Sequence, residues 1–255
     1  MIGLGGAEFR LPALAGLLRH PAKQAVPLNL AVSLVTIVSA LVIRSRTLSS
    51  GALLEHWQTA AALILGAAAA AFWGAAAASR TSEQQLTRVI LILLISIGLL
   101  LIVEAFLPLS DKGFLPANTA VRAGAGVLFG LAIGLVSSLL GVAGGELIIP
   151  TLLFAFGVDI RAAGTLSLVI STPTVLVGVG RYAHQRAFQR RALLETVAPM
   201  GAGSIIGAAG GALLAGIVAP QLLKVILGGV LIFSAFRIFR HTPVQAPSQP
   251  DAGGS

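Results

Sequence analysis

Seven apolar runs, at residues 25–43, 57–79, 86–107, 121–140, 162–180, 193–217 and 220–239, each come close to the length at which a helix crosses a bilayer. Lipid offers backbone N–H and C=O groups no partner, so a spanning segment must satisfy them internally, which for a helix takes about 20 consecutive apolar residues. Composition agrees, with 56% hydrophobic and 10% charged residues against about 25% charged in a soluble domain. The expected fold is an all-α polytopic membrane protein. A further apolar piece, 146–157, is too short to span and comes directly after Gly141-Val-Ala-Gly-Gly145. It reads as a half-helix or re-entrant arm after a glycine break.

That break occurs twice. Laid without a gap over residues 141–174, residues 3–36 share ten identities, among them Gly3/Gly141, Gly6/Gly144, Glu8/Glu146, Pro12/Pro150, Ser33/Ser171 and Thr36/Thr174. The match predicts a duplication into two halves of about four membrane segments each. The first repeat occupies 1–108, a loop 109–120, the second repeat 121–240, and a disordered tail rich in Pro, Gln, Ser and Gly 241–255. Copy two has an apolar arm, 121–140, ahead of its glycines, where copy one has only Met1 and Ile2. The first segment of the first half therefore reads as truncated, and a start site upstream of Met1 is expected.

Charge predicts orientation. Arg181, His184, Arg186, Arg190 and Arg191 crowd the loop after 162–180, and Arg44 and Arg46 stand in the corresponding loop of copy one. Positive residues in short loops mark the cytoplasmic side, so both loops are expected inside and the halves parallel. The net charge of +8 is thus a topology signal and no pointer to nucleic acid. With no cysteine, disulfides, thiolate metal sites and cysteine nucleophiles are excluded. No GxxxxGK[ST], HExxH or GxSxG occurs, so an enzyme or an ATP-driven pump is not expected, and neither are a cofactor or a metal.

The candidate site residues come from the repeats. Gly3, Gly5 and Gly6, with Gly141, Gly144 and Gly145, allow backbone conformations closed to other residues and let helix ends open toward a cavity. Asn29, Ser33 and Thr36 match Ser167, Ser171 and Thr174 at spacing i, i+4, i+7, each set forming a polar stripe on one helix face. Their hydroxyls and amide are read as donors to a small oxyanion, with interhelical hydrogen bonding as the alternative. Glu146 and Glu8 stand directly after the breaks, and an acid at membrane depth suggests proton coupling, against the alternative of a wet carboxylate complementing a helix dipole. Arg181 is placed at the cytoplasmic mouth. Arg10, whose mate is Ile148, is read only as a mark of how exposed the short first arm is. Stripes of small residues at fourfold spacing, such as Gly126, Gly130, Gly134 and Ser138, or Gly203, Gly207 and Gly211, are packing faces.

Gly134-Leu-Val-Ser-Ser-Leu-Leu-Gly-Val-Ala-Gly-Gly-Glu-Leu-Ile-Ile-Pro150, then Ala163-Gly-Thr-Leu-Ser-Leu168 and the loop Arg181 to Arg191, closely resembles the sulfite exporter TauE/SafE family of membrane permeases. The resemblance implies a secondary transporter of the cell inner membrane, multi-pass, moving sulfite, sulfonates or related small organic anions. The partners expected are that small anion and the lipid bilayer, with oligomeric state open, a homo-oligomer included. Two other readings stay on the table, a transport-inactive membrane scaffold and a passive anion channel.

Overall fold

The computed structural model describes residues 7–12, 14, 21–45, 54–106 and 113–214, with four isolated positions at 225, 229, 232 and 233. The described residues are mostly helical and contain no strand. In chain order the helices are α1 (Ala7–Pro12), α2 (Ala22–Ser45), α3 (Trp57–Arg80), α4 (Glu83–Phe106), α5 (Thr119–Leu140), α6 (Gly145–Pro150), α7 (Ile160–His184) and α8 (Ala198–Leu214). A π-turn, Thr151–Ala155, extends α6, and another, Leu193–Val197, leads into α8. Stretches in α2, α3, α5 and α7 are long and apolar enough to cross a bilayer. The run 86–107 falls on the 24-residue α4 and the run 193–217 on the second π-turn and α8. The run 220–239, like the tail, lies outside the described residues apart from isolated positions.

Apolar side chains face outward here. Trp73, Leu65, Leu128 and Ile206 are largely exposed, whereas Asn29, Ser33, Ser137, Ser138, Ser167, Ser171 and Thr174 are buried. A bilayer produces this inversion, because lipid tails welcome the former and leave the latter to be satisfied within the bundle.

The scaffold is the contact between α3 and α5, which the small-residue stripes create. A Cβ on Gly66 would collide with the carbonyl oxygen of Val127, one on Gly130 with that of Leu63, and one on Gly134 with that of Ala67. The two backbones therefore touch, and dispersion is gained over their whole shared length. Ala62 meets Gly126, and Gly74 meets Ser138. Residue numbers at the contacts rise together on both helices, so α3 and α5 are parallel. Tyr182, near the end of α7, donates from its hydroxyl to the Ser138 carbonyl at 3.0 Å, and the Arg181 guanidinium stacks 4.4 Å from the centre of the Phe72 ring. So α7 also finishes where α3 and α5 finish.

Helix α2 runs the other way. At its start, the Lys23 ammonium reaches the carbonyl of Ser79 near the end of α3, and Val26 lies against Gly141 just past α5. Leu30 then packs on Gly178 of α7, and Val35 on Gly201 of α8. Residues 22–36 and 160–174 are the segments matched in sequence, and they are antiparallel. Their antiparallel course is opposite to the parallel one expected from the loop charges. Arg44, at the end of α2, therefore sits at the opposite end of the bundle from Arg181.

The reason lies in the glycine break. Asn118 caps α5 by accepting from the N–H groups of Ala120 and Val121, and Gly141 closes it in the left-handed region at φ 66°. Gly144, at φ 79°, turns the chain back on itself beside Ile133 and Ser137. The arm formed by α6 and its π-turn then retraces α5: Phe156 meets Phe129 edge-on, and its carbonyl accepts from Arg122 at 2.8 Å. The piece 121–157 therefore returns to its starting side, which reverses the sense of α7 relative to a chain that crossed. Lys23, Arg80, Arg181, Arg186, Arg190 and Arg191 gather at one end against Arg44, Arg122 and Arg161 at the other.

Replacing Gly134 by Val should destabilise the bundle severely, since overpacking against rigid backbone costs about 1–3 kcal/mol or more. Gly124→Val, where a Cβ meets nothing within 4 Å, should leave the melting temperature in detergent near that of the parent. Equal melting temperatures for the two variants would remove the α3–α5 contact as the scaffold.

Candidate functional site

The first stripe forms a cradle, and what it holds is Arg10. From α1 the guanidinium donates through Nε to Asn29 Oδ1 at 3.3 Å and through Nη2 to Ser33 Oγ at 3.0 Å. Its Nη1 donates to Thr36 Oγ1 at 3.1 Å and to Ser204 Oγ of α8 at 3.0 Å. The side chain is half-buried. Arg10 is thus no sign of an exposed arm, which corrects the reading from sequence.

The hydrogens of the cradle explain its polarity. Ser33 donates to its own helix, to the carbonyl of Asn29 at 2.8 Å, with that of Gly141 at 3.4 Å as a second acceptor in reach. Thr36 donates to the carbonyl of Val32 at 2.8 Å. Asn29 gives its amide hydrogens to the carbonyls of Ala7 at 2.9 Å and Leu140 at 3.3 Å. A hydroxyl has one hydrogen and two lone pairs, so with the hydrogen committed to the main chain the oxygen is left to accept. The stripe therefore accepts from a guanidinium, where sequence suggested donors facing an oxyanion.

Asn29 also joins the two breaks. Ala7 is the residue after Gly6, and Leu140 directly precedes Gly141, so one buried amide ties the ends of both glycine motifs. Gly141 is the position where glycine is demanded twice over, by its left-handed φ and by the Val26 carbonyl that a Cβ would strike. Ser137 holds the break itself, donating to the carbonyl of Val142 and accepting from the Val142 N–H through its own carbonyl.

The second stripe is placed differently. Ser167, Ser171 and Thr174 are buried on α7, and Ser167 and Thr174 donate to Gly164 and Ile170 within that helix. Pro173 beside them has no N–H to give to the carbonyl four residues back. Gly144 and Gly145 are buried at the turn into α6. Glu8 and Glu146 belong to α1 and α6, but their side chains lie outside the described residues, as do Gly3, Gly5 and Gly6 altogether. Arg181 stacks on Phe72, apart from the Arg10 cradle.

Sequence reasoning missed two members. Arg10 carried a signal, a base inside a segment matched to a re-entrant arm at membrane depth. Ser204 carried a fainter one, as the one hydroxyl in the 17-residue α8. Among the described residues no cluster of His, Cys, Asp or Glu could hold a metal.

Asn29→Leu should leave the Arg10 Nε–H and two main-chain carbonyls without this partner, at about 1–3 kcal/mol for each group that stays unsatisfied. Thermal unfolding in detergent should therefore show a far larger loss for Asn29→Leu than for Ser167→Ala. The reverse order would contradict the cradle.

Residues 1–238 match the family model of the sulfite exporter TauE/SafE family. Neither a curated protein nor a solved structure gives a match. The match covers well over half of the chain, and the chain belongs to the TauE/SafE family.

Proposed function

From membership in this family, whose proteins are membrane transporters of sulfite or related anions and not enzymes, we propose that the chain is a secondary transporter of the cell inner membrane. It exports or exchanges a small oxyanion, sulfite or a sulfonate, by alternating access, with Arg10 as the counter-charge to the cargo. The observation that carries this reading is the cradle. Asn29, Ser33 and Thr36 spend their own hydrogens on main-chain carbonyls and present acceptors to the guanidinium.

The physics suits a transporter. A fixed positive charge inside a low-dielectric bundle attracts an anion strongly, because Coulomb energy grows as the dielectric falls. Asn29, Ser33 and Thr36 hold that charge in place. Release must remain possible, and one guanidinium binds less tightly than a cluster of cations would. The glycine breaks supply the movable backbone around it. Proton coupling belongs to Glu146 and its mate Glu8, which stand directly after the breaks and would exchange a proton as the anion moves.

Radiolabelled sulfite flux in proteoliposomes with an imposed pH gradient tests the reading. The parent chain should show gradient-dependent flux, Glu146→Gln flux that ignores the gradient, and the double variant Ser167→Ala, Ser171→Ala most of the parent rate. Folded protein that moves no sulfite, sulfonate or carboxylate would contradict the proposal.

A further inference from the structure

At the end of the bundle opposite Arg181, where α3 and α5 begin side by side, a pocket of about 210 Å³ opens between them. Arg122, on the first turn of α5, stands in its wall. The guanidinium is held through Nη2 by the Phe156 carbonyl at 2.8 Å and by the Phe156 ring, whose centre lies 5.3 Å from Cζ. A guanidinium has five hydrogens to give, so most stay unspent, and among the described residues no carboxylate pairs with it. Thr59, in the first turn of α3, lines the same pocket. It is only 7% exposed, yet its hydroxyl has no hydrogen-bond partner among the described residues. A polar group so enclosed costs free energy unless something in the pocket bonds it. His56, also in the wall, is the N-cap of α3, and its side chain makes no capping bond. The positive end of that helix dipole therefore stands beside the pocket uncapped.

We infer that this pocket binds a small oxyanion, such as a sulfonate group, with Arg122 as its charge partner and Thr59 and His56 as further donors. The chemistry of the wall selects the class. A guanidinium held flat on a ring presents a fixed fork to two oxygens of one anion, and charge on both sides strengthens each bond. The pocket has many times the room that one water needs, so an oxyanion enters with part of its hydration. Glu55 lines the same pocket from an exposed position. Its repulsion is screened by water and salt, which keeps the site weak enough to release what it holds. Two sources present such a group, a free anion and a phospholipid head, and the test separates them. The site uses none of the residues around Arg10. That its oxyanion is the cargo, collected at one mouth of the bundle, rests on the transporter reading, while the binding itself does not.

Because the chain has no cysteine, Ala117→Cys in the pocket wall reports on this place without background. The full chain in phospholipid-free maltoside micelles would be labelled with methanethiosulfonate ethylsulfonate, an anion, and with its trimethylammonium counterpart, a cation. Methanesulfonate, exchanged for chloride at constant ionic strength, should slow both reactions. It should leave Gln189→Cys, exposed at the opposite end, at its original rate. Arg122→Gln should raise the half-protecting concentration about tenfold, the weight of a charge-assisted hydrogen bond, and slow the anionic reagent relative to the cationic one. Thr59→Val should raise it about threefold, and Glu55→Gln should lower it. The Thr59 hydroxyl has no partner in the described fold to lose, so this variant keeps the test sharp even where Arg122→Gln fails to fold. Protection by added phosphatidylglycerol in place of methanesulfonate, weakened by the same variants, would assign the oxyanion to a lipid head. Protection by neither, or protection unchanged in Thr59→Val and Arg122→Gln, would overturn the site. Sulfite flux without protection of Ala117→Cys would spare the transporter reading and remove this one, and protection without flux would do the reverse.

Discussion

A guanidinium cannot be left bare inside a lipid-facing bundle. Even insertion scales that allow for snorkelling set the cost of an arginine at membrane centre at about 3 kcal/mol, so Arg10 dictates its surroundings. Asn29, Ser33 and Thr36 of α2 and Ser204 of α8 accept from it. To serve as acceptors, Ser33 and Thr36 turn their hydrogens into α2, and Asn29 turns its amide toward Ala7 and Leu140. Each of these choices fixes something larger. The Asn29 amide fastens α1 to the end of α5, and Ser204 brings α8 to α2. The centre of the molecule is organised around the Arg10 guanidinium.

Around this centre the glycines do two separate jobs. Those at 66, 130 and 134 bring α3 and α5 into backbone contact and make a rigid pair. Gly141 and Gly144 do the opposite, ending α5 in a left-handed turn and folding the arm of α6 back along it.

Much of this was legible in the sequence because lipid imposes a strict code. Apolar runs of sufficient length marked α2, α3, α5 and α7, and the glycine motif marked the half-helix at 145–150. Direction was not legible. Arg44 and Arg46 in copy one and Arg181 to Arg191 in copy two looked alike, yet the sense of α2 and α7 depends on whether 121–157 crosses or returns, and loop charges do not record that. The stripe Asn29, Ser33, Thr36 was found by its spacing, but its polarity was misjudged, since spacing says nothing of where a hydroxyl sends its single hydrogen. Arg10 was passed over because comparing copies rewards what recurs. Its mate is Ile148, and the asymmetry that made it look incidental is what gives the centre its charge.

Chemical rescue tests the proposal that the Arg10 guanidinium meets the transported anion. Sulfite flux would be measured in proteoliposomes holding Arg10→Ala, with and without millimolar guanidinium chloride and against sodium chloride of equal ionic strength. The account predicts that Arg10→Ala, still folded, loses nearly all flux and that guanidinium restores a substantial part, with no rescue by sodium. Flux in Arg10→Ala at the parent rate would contradict it.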